Sequence, residues 1–184
     1  GTALRPATGI AGSDVRFQTE SFETLVDSPI FAGRHFRREM LTDRVALDIV
    51  ADAPEELAIR PEQIDRLRDL VDQAVKLYGA QHFDHYDFLL AISDVMGAIG
   101  LEHHRSSENG VKRGYFIRAA ELAGQRSLLA HELVHSWNGK YRSGEDLYTP
   151  DYNTPMRNSL LWVYEGQTQY WGYVLQARAG LVSK

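Results

Sequence analysis

The stretch LLAHELVHSWNG, residues 128–139, places three titratable side chains, His131, Glu132 and His135, within an otherwise apolar segment. Residues four apart on an α-helix lie on the same face, so the two imidazoles can point at one position. Neutral imidazole binds zinc at about 2.0–2.1 Å in a tetrahedral shell. Glu132 is adjacent to that position, where it could accept a proton from a water activated by the metal. The stretch therefore predicts a zinc site with a general base beside it.

Two solvated histidines on a helix surface would give the same pattern, and a motif this short also arises by chance. The residues around the motif favour the metal site, because they are apolar and leave little water-facing surface beside the polar side chains. Polar groups in such surroundings need partners. The apolar neighbours are Leu128, Leu129, Ala130, Leu133, Val134 and Trp137.

A catalytic zinc site usually has three protein ligands and one open position, so a further ligand is needed. The chain has no cysteine, which restricts the choice to His, Asp or Glu. Glu165 is the best candidate, because it lies in the aromatic-rich, helix-like run LLWVYEGQTQYWG. A buried carboxylate there would have to bind a cation or become protonated. A carboxylate on a solvated helix face is the alternative.

Periodicity and turn chemistry predict the helices that present these residues. Apolar residues at helical spacing after Pro61 predict a helix that ends at Gly79. A long helix is expected from about Ala120 to Asn138, closing at Gly139, and it would carry the two histidines. The run NSLLWVYEGQTQYWGYVLQARAG predicts a second long helix, which would carry the third ligand and stop at Gly180.

Apolar, β-rich runs predict strands around residues 45–51, in HYDFLLAISD and in AIGLEHHRSS. The last would be an edge strand over residues 100–106, reached through a turn at Gly97. The predicted fold class is α+β, with a small sheet packed on the zinc-binding helix and a second helix supplying the third ligand. Residues 1–57 are expected to be a linker or the tail of an upstream β domain, and residues 58–184 a catalytic domain.

The composition of the chain limits the classes of partner that it is expected to bind. Because the net charge is −5 and the chain has no basic block, we expect neither nucleic acid nor an anionic membrane as a partner. No apolar run reaches the roughly 18 residues of a membrane span and no secretory signal is present, so we expect a soluble protein. The chain starts at Gly1 and stops after a helix-like segment, which suggests a piece of a longer protein. The sequence leaves open a cytoplasmic or a bacterial periplasmic location, and the oligomeric state.

The motifs HELVHSWN, DYNTP and LLWVYEGQTQYW, with HYDFLLAI and GLEHHRSS upstream, resemble the glycyl aminopeptidase family of zinc metallopeptidases. These enzymes are gluzincins with a thermolysin-like catalytic domain. The similarity spans roughly residues 86–173 and recurs more weakly in SFETLVDSPI. It implies one Zn²⁺ per chain held by His131, His135 and Glu165, with Glu132 as the catalytic base.

The same resemblance implies an aminopeptidase that acts on peptides with a free N-terminus and prefers small residues such as Gly or Ala. Glu102 would hold the substrate's α-amino group, and Gly100 would allow close backbone approach. Alternatively, Glu102 is a surface charge that protects an edge strand. A zinc endopeptidase with the same site and a catalytically weak peptide-binding fragment remain rival functions. We assign no oxyanion donor, because Tyr170 and Tyr173 lie on the helix of the third ligand.

Overall fold

A computed structural model describes residues 19–119 and 122–182, which form a five-stranded sheet with helices packed against it. None of the helices in these two ranges combines the length and apolar character needed to cross a bilayer. The strands are β1 (His35–Met40), β2 (Val45–Ala51), β3 (Tyr86–Ile92), β4 (Ile99–Glu102) and β5 (Ser106–Val111). The α-helices are α1 (Phe22–Val26), α2 (Pro61–Tyr78), α3 (Leu128–His135) and α4 (Thr168–Arg178).

The sheet is mixed, with the strand order β1-β2-β3-β5-β4. Strands β2, β3 and β5 run parallel, while β1 and β4 pair antiparallel with their neighbours. This arrangement confirms the α+β class. It also leaves β4 as an outermost strand, with Gly100 opposite Asn109 and Glu102 opposite Ser107.

Strands β1 and β2 precede the predicted boundary at residue 57, yet they belong to the same sheet as β4. Val45, Leu47 and Ile49 of β2 are fully buried in a core shared with β3, α2 and α3. The predicted boundary therefore does not coincide with a break in the sheet. Residues 1–18, which the sequence analysis assigned to a linker or an upstream domain, lie outside the described residues.

Helix α2 follows the sequence prediction closely. Pro61 occupies its first turn, and the side chain of Gln63 accepts a hydrogen bond from the Arg60 backbone N–H at 3.1 Å. Gly79 ends the helix in the left-handed conformation, with φ 74°. One face of the helix is buried against the sheet, as its apolar spacing predicts. The buried apolar residues are Ile64, Leu67, Leu70, Val71 and Ala74.

Helix α3 is shorter than the predicted helix over residues 120–138. It starts at Leu128, after a 3₁₀ turn at residues 123–125 that contains Gly124. After His135 two backbone N–H groups bond to the carbonyl three residues earlier instead of four. Ser136 N donates to Leu133 O (3.1 Å) and Trp137 N donates to Val134 O (3.0 Å). From Lys140 on, the bonds reach back to the i−5 carbonyl, beginning with Lys140 N to His135 O (3.0 Å), so the regular α-helix ends before Gly139.

The edge strand is also shorter than predicted. It ends at Glu102, where the His103 N–H donates to Ser106 O at 2.9 Å and the chain reverses into β5. Residues 103–105 therefore form a turn instead of continuing the edge. Strand β5 has the polar sequence SSENGV but lies between β3 and β4, with Asn109 Nδ2 donating to Leu89 O at 3.2 Å.

Candidate metal centre

Three donor atoms from two helical segments converge at one end of α3. His131 Nε2 and His135 Nε2 are 3.0 Å apart. Glu165 Oε2 lies 3.3 Å from the first nitrogen and 3.4 Å from the second. A tetrahedral shell with bonds of about 2.0–2.1 Å has edges of about 3.3 Å. The three atoms therefore have the dimensions of one face of such a shell, and they can hold a metal ion.

The hydrogen bond of the His135 ring is compatible with metal binding at Nε2. His135 Nδ1 is 3.1 Å from the backbone carbonyl of Asn138, which only accepts, so the proton is on Nδ1 and the Nε2 lone pair faces the other donors. Glu132 lies beside the triangle, and single ligand atoms of Glu132 and the two histidines all fall within 4.8 Å of one another. Its Oε2 is buried without a hydrogen-bond partner among the described residues, as is His131 Nδ1.

Close packing of α4 on α3 sets the position of the histidines. A Cβ atom added at Gly172 would lie 3.2 Å from both Cα and N of His131, so the glycine lets the two helices approach. Leu129 and Leu133 fill the opposite side of α3 and are buried. The imidazoles lie on the other side of α3, where their Nε2 atoms face Glu165.

A π-helical segment, Trp162–Gln167, presents Glu165 just before α4 begins. Its wider turns leave the Val163 carbonyl free to accept from Asn138 Nδ2 at 2.8 Å. The same amide nitrogen donates to Thr168 Oγ1 at 3.0 Å. Asn138 thus ties the segment with Glu165 to the end of the histidine helix, and its backbone carbonyl also orients His135. Irregular π-helical turns are frequent at functional sites.

The surroundings of Glu165 differ from the sequence interpretation. The side chain is 49% exposed, and Trp162 is 71% exposed, so aromatic residues do not bury the carboxylate. The face of the π-helical segment that carries Trp162 and Glu165 points away from the core. Glu165 is held near the histidines by the two imidazoles and by the backbone that positions it.

Gly100 on β4 lies directly against the carboxylate of Glu132. A Cβ atom added there would overlap Glu132 Oε1 and would lie 2.7 Å from Leu128 Cδ1. The absence of a side chain at this position leaves room for the carboxylate of Glu132, a role that the sequence analysis did not assign. Burial, followed by the nearby charges of Glu102 and Glu165, raises the pKa of Glu132 to about 8.

Tyr164 is a site residue that the sequence analysis missed. Its hydroxyl donates to Glu102 Oε1, and its ring lies 4.9 Å from the His135 ring. Burial alone would raise the pKa of Glu102, but the Tyr164 hydrogen bond and nearby positive groups outweigh it, so the pKa lies below its ordinary value. The sequence feature that could have pointed to Tyr164 is its position directly before Glu165 in WVYEG.

Asp27, at the end of α1, holds the turn that follows Glu102. Its Oδ1 is 3.2 Å from His103 Nδ1, its Oδ2 is 2.9 Å from His104 Nδ1, and Lys140 Nζ is 3.8 Å away. If the strand continued through His103 and His104, side-chain alternation would send the two imidazoles to opposite faces. Because the strand has already ended, both reach the same carboxylate. Burial opposes ionisation of Asp27, but these contacts bring its pKa well below the ordinary value.

A cleft of about 380 Å³ adjoins the donor triangle and the outermost strand. Gly100 of β4 and Glu132 of α3, which contact each other, both line it. It runs alongside the exposed edge of the sheet, where an extended chain can pair with a strand. The other lining residues include Ile99, Leu128, His131 and Gln169.

Comparison with known proteins matches part of the chain to a peptidase family. Residues 124–184 match the model of the M61 glycyl aminopeptidase family, and this segment contains both histidines and Glu165. The resemblance seen in the sequence is confirmed there. The chain is also similar to a solved aminopeptidase N family protein from Idiomarina loihiensis, with a TM-score of 0.78 and 23% sequence identity.

That similarity covers 100% of this chain and 32% of the solved chain, so the described fold corresponds to about a third of the larger protein. At this level of identity the likeness shows a shared fold. No curated protein matches the chain.

Proposed function

We propose that this chain forms the metal-binding part of a zinc-dependent aminopeptidase, which removes N-terminal residues from peptides and prefers small ones such as Gly or Ala. The convergence of His131 Nε2, His135 Nε2 and Glu165 Oε2 at 3.0–3.4 Å carries this proposal. Two imidazoles and one carboxylate suit zinc, whereas calcium and magnesium prefer oxygen ligands alone. The family match over residues 124–184 supports peptide hydrolysis and is the basis for the preference for small residues.

In this proposal the three donor atoms hold the zinc and Glu132 moves protons. When bound, zinc supplies Lewis acidity, which polarises the scissile carbonyl and makes an attacking water more acidic. Glu132 accepts the proton of that water and delivers it to the leaving amine. Its pKa of about 8 would be lowered by a neighbouring dication, which favours the carboxylate form before the water attacks.

Strand β4 would align the peptide substrate with the metal site. As an outermost strand, it offers backbone groups to an extended peptide, which would lie in the cleft that Gly100 and Glu132 both line. Glu102 ends the strand, and its carboxylate would pair with the α-ammonium of the peptide. A chain end anchored there places the first peptide bond next to the donor triangle, which selects exopeptidase cleavage.

The test compares Gly- and Ala-leading peptides with N-acetylated copies of the same peptides, in the presence of zinc. We expect cleavage of the first bond in the free-amine peptides only, and loss of that cleavage in Glu132→Gln. Glu62→Gln, an exposed substitution on α2, is the matched control and should keep full activity. Equal cleavage of both peptide forms would indicate an endopeptidase. Peptide binding that survives Glu132→Gln, without turnover in the wild type, would indicate a binding module.

A further inference from the structure

The phenol of Tyr164 connects the two elements that flank the proposed peptide path. It lies in the π-helical segment, one residue before Glu165, and its hydroxyl donates to Glu102 Oε1 on β4. The two residues are separated by 62 positions in sequence, so the contact depends on the folded site. The proposed mechanism does not use this hydroxyl.

Tyr164 is held in place by its neighbours. Its ring is tilted by 40° against the His135 ring, with centroids 4.9 Å apart. Gly139, at φ +143°, also lies against it, and an added Cβ there would come within 2.9–3.1 Å of the phenol atoms. The hydrogen bond from Asn138 to Val163 O fixes the backbone immediately before Tyr164. The hydroxyl is therefore a fixed donor.

Glu102, in contrast, ends a short strand, and a glutamate side chain carries substantial rotamer freedom. Fixing such a side chain when a ligand binds costs conformational free energy. A hydrogen bond that already orients the carboxylate reduces that cost. The Tyr164 bond occupies one acceptor site of Oε1, and the remaining acceptor sites of the carboxylate stay available to an incoming ammonium.

We propose that Tyr164 is a positioning residue for recognition of the peptide's free amine, and that it acts by fixing the carboxylate of Glu102. The inference rests on the proposed function, because it requires Glu102 to bind an α-ammonium. Tyr164 touches neither the reacting carbonyl nor the attacking water in this account. Its loss should therefore weaken binding of free-amine peptides more than it slows the chemical step.

The experiment uses Tyr164→Phe, which keeps the ring and its packing but removes the hydroxyl. Tyr173→Phe, at an exposed position of α4, is the matched control. We expect KM for an Ala-leading peptide to rise about tenfold in Tyr164→Phe, with a smaller change in kcat and an unchanged zinc content. In the Glu102→Gln background, Tyr164→Phe should add little further loss, because the two residues act together.

A binding measurement separates this inference from the proposed function. Calorimetric titration of zinc-supplied Glu132→Gln protein with the Ala-leading peptide and its N-acetylated copy gives Kd without turnover. We expect Tyr164→Phe to raise Kd for the free-amine peptide alone, a result that supports the inference even if the wild type proves inactive. An equal loss for both peptides, an unchanged Kd, no measurable binding, or a loss of zinc would each overturn it.

Discussion

The contact between Gly100 and Glu132 gives a quantitative prediction for Gly100→Ala. Carbon atoms in ordinary contact are about 3.5–4.0 Å apart. The added Cβ would lie 2.7 Å from Leu128 Cδ1 and 3.0 Å from Glu132 Cδ, and it would overlap Glu132 Oε1. The carboxylate of Glu132 must therefore move by about 1 Å, and a displacement of that size in a catalytic group can cost on the order of 10² in rate.

The effect on stability should be smaller than the effect on activity. The clashing atoms are the ends of flexible side chains next to an open cleft, so overpacking should cost about 1 kcal/mol, the lower end of its usual range. The assay measures kcat, zinc content and the free energy of unfolding for Gly100→Ala. Glu62→Gln, at an exposed position of α2 away from the cleft, is the control. If Gly100→Ala keeps kcat within about twofold of the control, the reasoning is refuted.

Three further predictions follow from contacts around the site. Asn138→Ala removes the amide that donates to Val163 O and Thr168 Oγ1, so zinc affinity should fall about 10- to 100-fold in competition with a chelator. The exposed control Asn153→Ala should leave zinc affinity unchanged. Gly172→Ala pushes α4 away from His131 and should lower the free energy of unfolding, measured by urea titration, by about 1–3 kcal/mol. Gly166→Ala is the control and should leave it unchanged, because an added Cβ there has no neighbour within 4 Å. Asp27 has a folded pKa far below its ordinary value of 3.8, so its stabilising effect is complete above that value and is lost as pH falls below it. The stability difference between wild type and Asp27→Asn should therefore shrink from pH 6 to pH 3; a constant difference, or the same trend in exposed Asp43→Asn, would contradict this.

The elements that the sequence predicted well are those with strong apolar patterns. Helix α2 and strand β2 have the predicted bounds, because apolar spacing and flanking turn residues specify them locally. Strand β5 was not predicted, since SSENGV is polar and its burial depends on pairing with β3 and β4 on both sides. Nothing within that segment alone signals a central strand.

The site shows the same division between local and long-range information. The spacing of His131 and His135 is local, and the helix brings their Nε2 atoms together as expected from geometry. The nearness of Glu165 was inferred correctly, but from aromatic surroundings that turn out to be exposed. The pairing of Tyr164 with Glu102 joins distant segments, which no periodicity within either segment reveals.

The measurement that tests the central claim most directly is the zinc content of protein purified without added metal, for the wild type and Glu165→Ala. Glu145→Ala, at an exposed position of the intervening loop, is the control. A three-ligand site predicts about one zinc per chain in the wild type and the control, and loss or strong weakening of zinc binding in Glu165→Ala. A wild-type chain that stays free of zinc when the metal is supplied, or a Glu165→Ala chain that binds it as tightly as the wild type, would contradict the account.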